Sequence, residues 1–296
     1  MPDYTPPDPI VEITDIQEVA PGLFVIPNRN VDLVPNIGII TGTDAVLVVD
    51  TGMGPENAQR VLDYAIEVAA GRRLYLTTTH FHPEHAFGAQ VFAGKATYIA
   101  NRAQADDLSH KGAGYLEMFR GLGAVIAKQL EGVVVVAPDV VYDEDSYELD
   151  LGSRTVQLRP TGRGHSKGDQ VIVVDGVMFT GDLVEAGQFA IFPWFPPHDV
   201  DVSGVLWLEV MEGLVASAPR VVIPGHGDIS GPGLLGQVRD YIRELRDETW
   251  RRVNEGQPED KIVDEVSAVL IGRHPDWAGR NWIATGVACF IAERVA

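Results

Sequence analysis

Cysteine is nearly missing from this chain: among 296 residues there is one, Cys289. No internal disulfide is available, so a reducing, cytoplasmic compartment is the expectation. The lone thiol sits within Val287, Ala288, Cys289, Phe290 and Ile291, an apolar stretch that reads as core rather than as a nucleophile. Basic residues are scarce too, 23 Lys and Arg against 42 Asp and Glu, for a net charge of −19. A field of that sign repels phosphate backbones and anionic bilayers, which points away from nucleic acid and membrane and toward a small-molecule substrate. No run reaches the roughly 18 consecutive apolar residues of a membrane-spanning helix. The N-terminus carries Pro2, Asp3, Pro6 and Pro7 where a secretion signal needs a basic start and an apolar run. A soluble protein is expected.

What is present is ordinary globular material, 45% hydrophobic and long enough to bury a large core. An extended arm is expected over residues 1–21, then one domain over 22–296, because no linker or low-complexity tract divides the chain. Short β-branched runs predict strands at 23–27, 38–41, 45–49, 73–78 and 96–100. Helical spacing predicts helices at 55–70 and 102–130, the second interrupted at Gly112 and Gly114. The second half repeats the order. Strands are expected at 133–136, 147–149, 155–158, 171–174, 177–179 and 220–223, and helices at 202–215, 234–253, 259–271 and 281–295. Strands followed by helices, twice, predict an α/β fold of two packed sheets flanked by helices. The C-terminal helices and the arm are candidate contacts for a homo-oligomer.

The densest chemistry is Thr79-His80-Phe81-His82-Pro83-Glu84-His85, four potential metal ligands within six residues at a strand end. With eight histidines in the whole chain, three so close are not expected by chance. Imidazoles with a carboxylate suit zinc or iron better than calcium or magnesium, which prefer oxygen-only shells. His80 and His82 alternate onto one side while Glu84 and His85 swing onto the next helical turn, so one segment can serve two neighbouring ions. Three later segments each follow a strand-like run: Gly164-His165-Ser166, Gly181-Asp182 and Gly225-His226-Gly227. Strand ends at one sheet edge converge, and the glycines allow close backbone approach.

The series His-x-His-x-Glu-His, Gly-His-Ser-x-Gly-Asp, Thr-Gly-Asp and Pro-Gly-His-Gly, with Asp50-Thr51-Gly52 before it, resembles the metallo-β-lactamase superfamily. The resemblance runs from about residue 22 to residue 228. It implies an αββα sandwich of two mixed sheets with the metals at one edge. It also implies that His80, His82 and His165 hold one ion, that Glu84, His85 and His226 hold a second, and that Asp182 bridges them. Asp50 would support the site from behind the ligands. Two zinc ions are expected, with iron the alternative. The chain departs from the family at position 84, where aspartate is usual and Glu84 reaches about one C–C bond further.

The activity so implied is hydrolysis by a metal-activated water, with Glu84 and Asp182 in catalytic roles. The substrate is expected to be a small carboxylic derivative: an ester, lactone, thioester or cyclic amide. An iron-dependent sulfur dioxygenase and a β-lactam hydrolase are the competing activities of the same fold. Phe189, Phe192, Trp194 and Phe195 follow Asp182 closely and are the expected walls of an apolar substrate pocket. His198 is the candidate proton donor, and residues 29–36 the candidate flap.

Overall fold

Strand β4 (Ala45–Val49) alternates its side chains between two cores. Val46 and Val48 turn into the cluster beneath one helical layer, while Ala45, Leu47 and Val49 turn into the cluster between the sheets. All five residues are buried, the pattern of a strand covered on both faces. Burying each Val or Leu contributes about 1.5–3 kcal/mol, so this strand is a fixed platform for the Asp50 turn at its end.

The computed structural model describes residues 8–295 and extends that logic over two sheets. The first runs in sequence order: β1 (Gln17–Ala20), β2 (Leu23–Ile26), β3 (Ile37–Thr41), β4, β5 (Arg73–Thr77), β6 (Thr97–Asn101) and β7 (Val140–Tyr142). Pairing is antiparallel up to β4 and parallel from β4 onward. The second sheet is ordered β12 (Val221–Pro224), β11 (Val177–Gly181), β10 (Gln170–Val174), β9 (Thr155–Pro160) and β8 (Tyr147–Asp150), with only β11 and β12 parallel. Helices α1 (Gly54–Ala69), α3 (Arg102–Arg120) and α4 (Ala124–Gln129) cover the first sheet, and the one-turn α2 (Pro83–Ala86) caps its edge. Helices α5 (Gly204–Ser217), α6 (Gly233–Asn254), α7 (Glu259–Arg273) and α8 (Trp282–Val295) cover the second. The expected αββα sandwich is the fold found. No helix among the described residues is long and apolar enough to cross a membrane.

Strand direction assembles the site. β4 and β5 are parallel, so Asp50 and the segment from Thr78 leave the first sheet at the same edge. β9 and β11 are both antiparallel to β10, and β12 is parallel to β11. The turns carrying His165, Asp182 and His226 therefore leave the second sheet at one edge as well.

Three expectations are corrected. Residues 17–20 of the expected arm form the edge strand β1, and Val11 is buried with its N–H on Asn57 Oδ1 (2.8 Å). Residues 1–7 of that arm lie outside the described residues. Helix α3 continues through Gly112 and Gly114 and stops instead at Gly121, where Gly123 (φ 140°) takes a backbone that L side chains avoid. Gly112 serves close packing, since a Cβ there would sit 2.9 Å from Val135 Cγ1. Residues 133–136, expected as a strand, join neither sheet; Val133 packs into the helix-side core and β7 takes the sheet edge.

Candidate metal centre

Pro83 at the start of α2 sets the chain turning directly after His82, which places the four donors of the 80–85 segment around two points. At the first, His82 Nδ1 lies 3.0 Å from His80 Nε2 and 2.9 Å from His165 Nε2. One ring nitrogen cannot bond well to two others at once. Three nitrogens around one zinc, each at 2.0–2.1 Å, lie about 3.3 Å apart, close to what is seen. At the second point, Glu84, His85, Asp182 and His226 bring ligand atoms within 4.8 Å of one another. Asp182 faces both. Its Oδ1 lies 3.2 Å from His85 Nε2 and 3.6 Å from His226 Nε2, and its Oδ2 lies 3.8 Å from His165 Nε2 and 4.0 Å from His80 Nε2.

The donor set fits metal ions. Glu84 Oε2, His85 Nε2, Asp182 Oδ1 and His226 Nε2 are buried without a hydrogen-bond partner. Leaving a buried polar atom unpaired costs about 1–3 kcal/mol, and four converging on one point describe a coordination site. All seven predicted ligands are thus brought together, Glu84 included.

Burial, with the neighbouring imidazoles, pushes the His80 and His82 rings well below their ordinary range, and burial lowers His165. These three are neutral donors, as ligation requires. His85 goes the other way: burial opposes its charge, but the Asp182 and Asp50 carboxylates outweigh it and hold the ring well above its ordinary range. His226 is raised by Asp182 against the effect of burial. An ion entering the second group therefore displaces protons.

The five histidines of the two groups are held from behind. Asp50, the residue after β4, accepts the Thr79 N–H at Oδ1 (2.7 Å) and His85 Nδ1–H at Oδ2 (2.9 Å). His80 Nδ1 rests 3.1 Å from Thr79 Oγ1, and His165 Nδ1–H donates to Ile191 O (2.9 Å). Tyr115 stacks on the His82 ring, 5.0 Å between centroids, and donates to Asp199 (2.6 Å). Asn36 Nδ2 donates to Pro224 O and Gly227 O, both 2.9 Å, and so brackets the turn that presents His226. Gly225 is obligatory there, since a Cβ would fall 1.9 Å from Asp182 Oδ1.

Glu185 escaped sequence reasoning. Its Oε2 accepts the Ile191 N–H (3.1 Å), and the Ile191 carbonyl fixes His165. Burial, then the nearby Asp182 charge, raises its carboxyl well above the ordinary range. Glu185→Ala is expected to weaken metal binding about 10–100-fold in chelator competition. Glu185→Gln, whose amide oxygen accepts the same N–H, should stay near wild type. Equal affinity in all three proteins would remove Glu185 from this role.

The expected pocket walls are misplaced. Phe189 and Phe192 are fully buried in the core beneath α5–α8, Phe189 against Tyr241 and Trp277, Phe192 against Trp207 and Phe290. Trp194 and Phe195 are half-buried beside that core and do not line the cavity at the metal edge. The outer face of the second sheet needed covering, and this segment supplies the cover. His198 is exposed in the turn closed by Phe195 and Asp199, outside both ligand groups, so its proton-donor role is withdrawn. The cavity itself holds about 1000 Å³ and opens onto Glu84 and His226. Its walls include Asn28, Asn30 to Leu33 from the expected flap, Leu122 and Ile126 around the start of α4, Ala186 to Gln188 and Ile191, and the α7–α8 connection with Trp277 and Trp282.

The profile of the metallo-beta-lactamase superfamily matches residues 31–226. The linear primary-alkylsulfatase of Pseudomonas sp. (strain ATCC 19151) is 22% identical over 269 residues, covering 77% of this chain and 49% of that protein. Among solved structures, the stereoselective inverting sec-alkylsulfatase of Pseudomonas sp. superposes with a TM-score of 0.71 at 19% identity, over 94% of this chain and 50% of that one. The metallo-beta-lactamase from Pontibacter korlensis gives 0.61 at 15% identity, over 77% of this chain and 98% of that one. The chain spans about half the length of the alkylsulfatases it matches. With the profile covering most of its length and every ligand motif falling inside the match, the chain belongs to the metallo-beta-lactamase superfamily.

Proposed function

We propose that the protein is a dinuclear zinc hydrolase acting on a small carboxylic derivative: an ester, lactone, thioester or cyclic amide. The observation that carries this reading is that Glu84 and His226 belong both to a ligand group and to the cavity wall, so substrate and ions share one space. His80, His82 and His165 would hold one ion and Glu84, His85 and His226 the other, with Asp182 facing both. Bound ions would supply there a water with its pKa lowered to roughly 7 and would polarise the substrate carbonyl. Glu84, its carboxyl raised by burial, lies at the cavity end, where it orients the attacking water and takes up its proton. The flap residues and Ile191 exclude bulk water, and the indoles of Trp277 and Trp282 hold the apolar part of the substrate.

Sulfate esters are the second reading, supported by the two alkylsulfatases. The wall weighs against it, with the carboxylates Asp32, Glu84 and Asp228 and no lysine or arginine to meet an anion.

Metal content and a substrate panel test the proposal. About two zinc ions per chain are expected. Hydrolysis of carboxylic esters or lactones should be lost to a chelator and restored by zinc. Faster turnover of a primary alkyl sulfate than of every carboxylic derivative would hand the site to the second reading. About one iron per chain with sulfur-dependent oxygen uptake would replace hydrolysis by dioxygenase chemistry.

A further inference from the structure

The charge of the cavity wall says more about the substrate than the metal groups do. Of the side chains that line it, Asp32, Glu84 and Asp228 are acidic and none is lysine or arginine. Glu84 is buried with Oε2 unpaired and belongs to the ion site, which leaves Asp32 and Asp228 exposed around the remaining space. Asp228 follows His226 by two residues, on the turn that Asn36 brackets, so its position relative to the reacting centre is fixed. Among the described residues no hydrogen bond or ion pair engages its carboxylate; only its backbone carbonyl is used, by Ser230 Oγ (3.0 Å). Trp277 and Trp282 add aromatic surface, which attracts cations as well as apolar groups.

We infer that the cavity takes a cationic substrate, a carboxylic ester or amide whose far end is an ammonium group seated near Asp228 and the two indoles. This rests on the hydrolase reading and names the substrate class within it. The scissile carbonyl would lie at the Glu84 and His226 end of the cavity, and the ammonium outward, where Asp228 compensates its charge. An anion at the same place meets two carboxylates and a protein of net charge −19. An exposed charge pair is worth up to about 1 kcal/mol, so Asp228 gives a preference of up to about fivefold.

The experiment compares two isosteric pairs on the zinc-loaded protein. Hydrolysis is measured for a choline ester and for the 3,3-dimethylbutyl ester of the same acid, which differ only by the charge. Binding of choline and of 3,3-dimethylbutan-1-ol is measured by calorimetry. Expected are a kcat/KM ratio of about five for the cationic ester, a matching preference in binding, and shrinkage of both in high salt. Asp228→Asn should narrow the ratio and Asp228→Glu should preserve most of it. Equal kcat/KM for the two esters overturns the inference and leaves the hydrolase standing. A binding preference for choline with neither ester nor any other carboxylic derivative of the panel hydrolysed overturns the hydrolase reading while the cavity's preference for cations stands.

Discussion

His82→Ala and His165→Ala are each expected to lose the ion of the first group and to lower turnover by on the order of 10³-fold or more, with the fold intact. Either change takes one of three converging nitrogens, His82 Nδ1 lying 3.0 Å from His80 Nε2 and 2.9 Å from His165 Nε2. Removing a residue that merely supports a ligand costs about 10–100-fold in metal affinity, and removing the ligand itself should cost more. The fold should survive because both rings sit at strand ends, outside the three hydrophobic clusters. Loss of the His82 ring leaves Tyr115 without its stacking partner, but Tyr115 stays tied to Asp199 and packed on Phe81. Circular dichroism separates loss of fold from loss of metal, and metal analysis with the ester assay reads the rest. Wild-type-like turnover in either variant would sink the assignment of this centre.

The ligands were legible in the sequence because each occupies a short window at the end of a strand. His80 to His85 follow β5 within eight residues, Asp182 follows β11 directly, and His226 follows β12 by two. Strand recognition and glycine punctuation were enough to bring them to one edge. Glu84 was legible as a ligand type, and its buried, unpaired Oε2 places it in the second group despite the longer side chain. The cavity was not legible, since its walls come from residues 28–33, 122–126, 186–191, 226–237 and 277–282, which no local pattern links. Nearness in sequence to Asp182 was mistaken for nearness to substrate at Phe189 and Phe192, whose apolar surface instead completes the core over the second sheet. Asn36, Tyr115 and Glu185 act through hydrogen bonds and stacking across long sequence separations, and a lone polar residue carries no sign of its distant partner. Asp50 was the exception, because its turn motif travels with the ligands.

Asp50→Asn is expected to break the second ion site through a tautomer rather than through shape. Asp50 holds φ at 67°, a conformation that aspartate and asparagine tolerate better than other non-glycine residues, so asparagine keeps the turn. Its two carboxylate oxygens accept from donors on both sides, the Thr79 N–H at Oδ1 and His85 Nδ1–H with Thr79 Oγ1 at Oδ2. An amide offers only one acceptor. With its NH2 turned to His85, the ring must carry its proton on Nε2, the atom that faces Asp182 and belongs to the ion. With its NH2 turned to Thr79, two buried donors face each other at a cost of about 1–3 kcal/mol. The first outcome lowers affinity for the second ion about 10–100-fold, so metal per chain falls toward one after dialysis. The second lowers the unfolding free energy and spares the metal. Asp50→Ala should show both losses, because it leaves every donor unpaired and places alanine in the left-handed region. Metal stoichiometry and thermal unfolding, measured on the same preparations, distinguish the two routes. Two tightly held ions and wild-type stability in Asp50→Asn would mean that Asp50 does not set the His85 tautomer, and that the second group is held by packing alone.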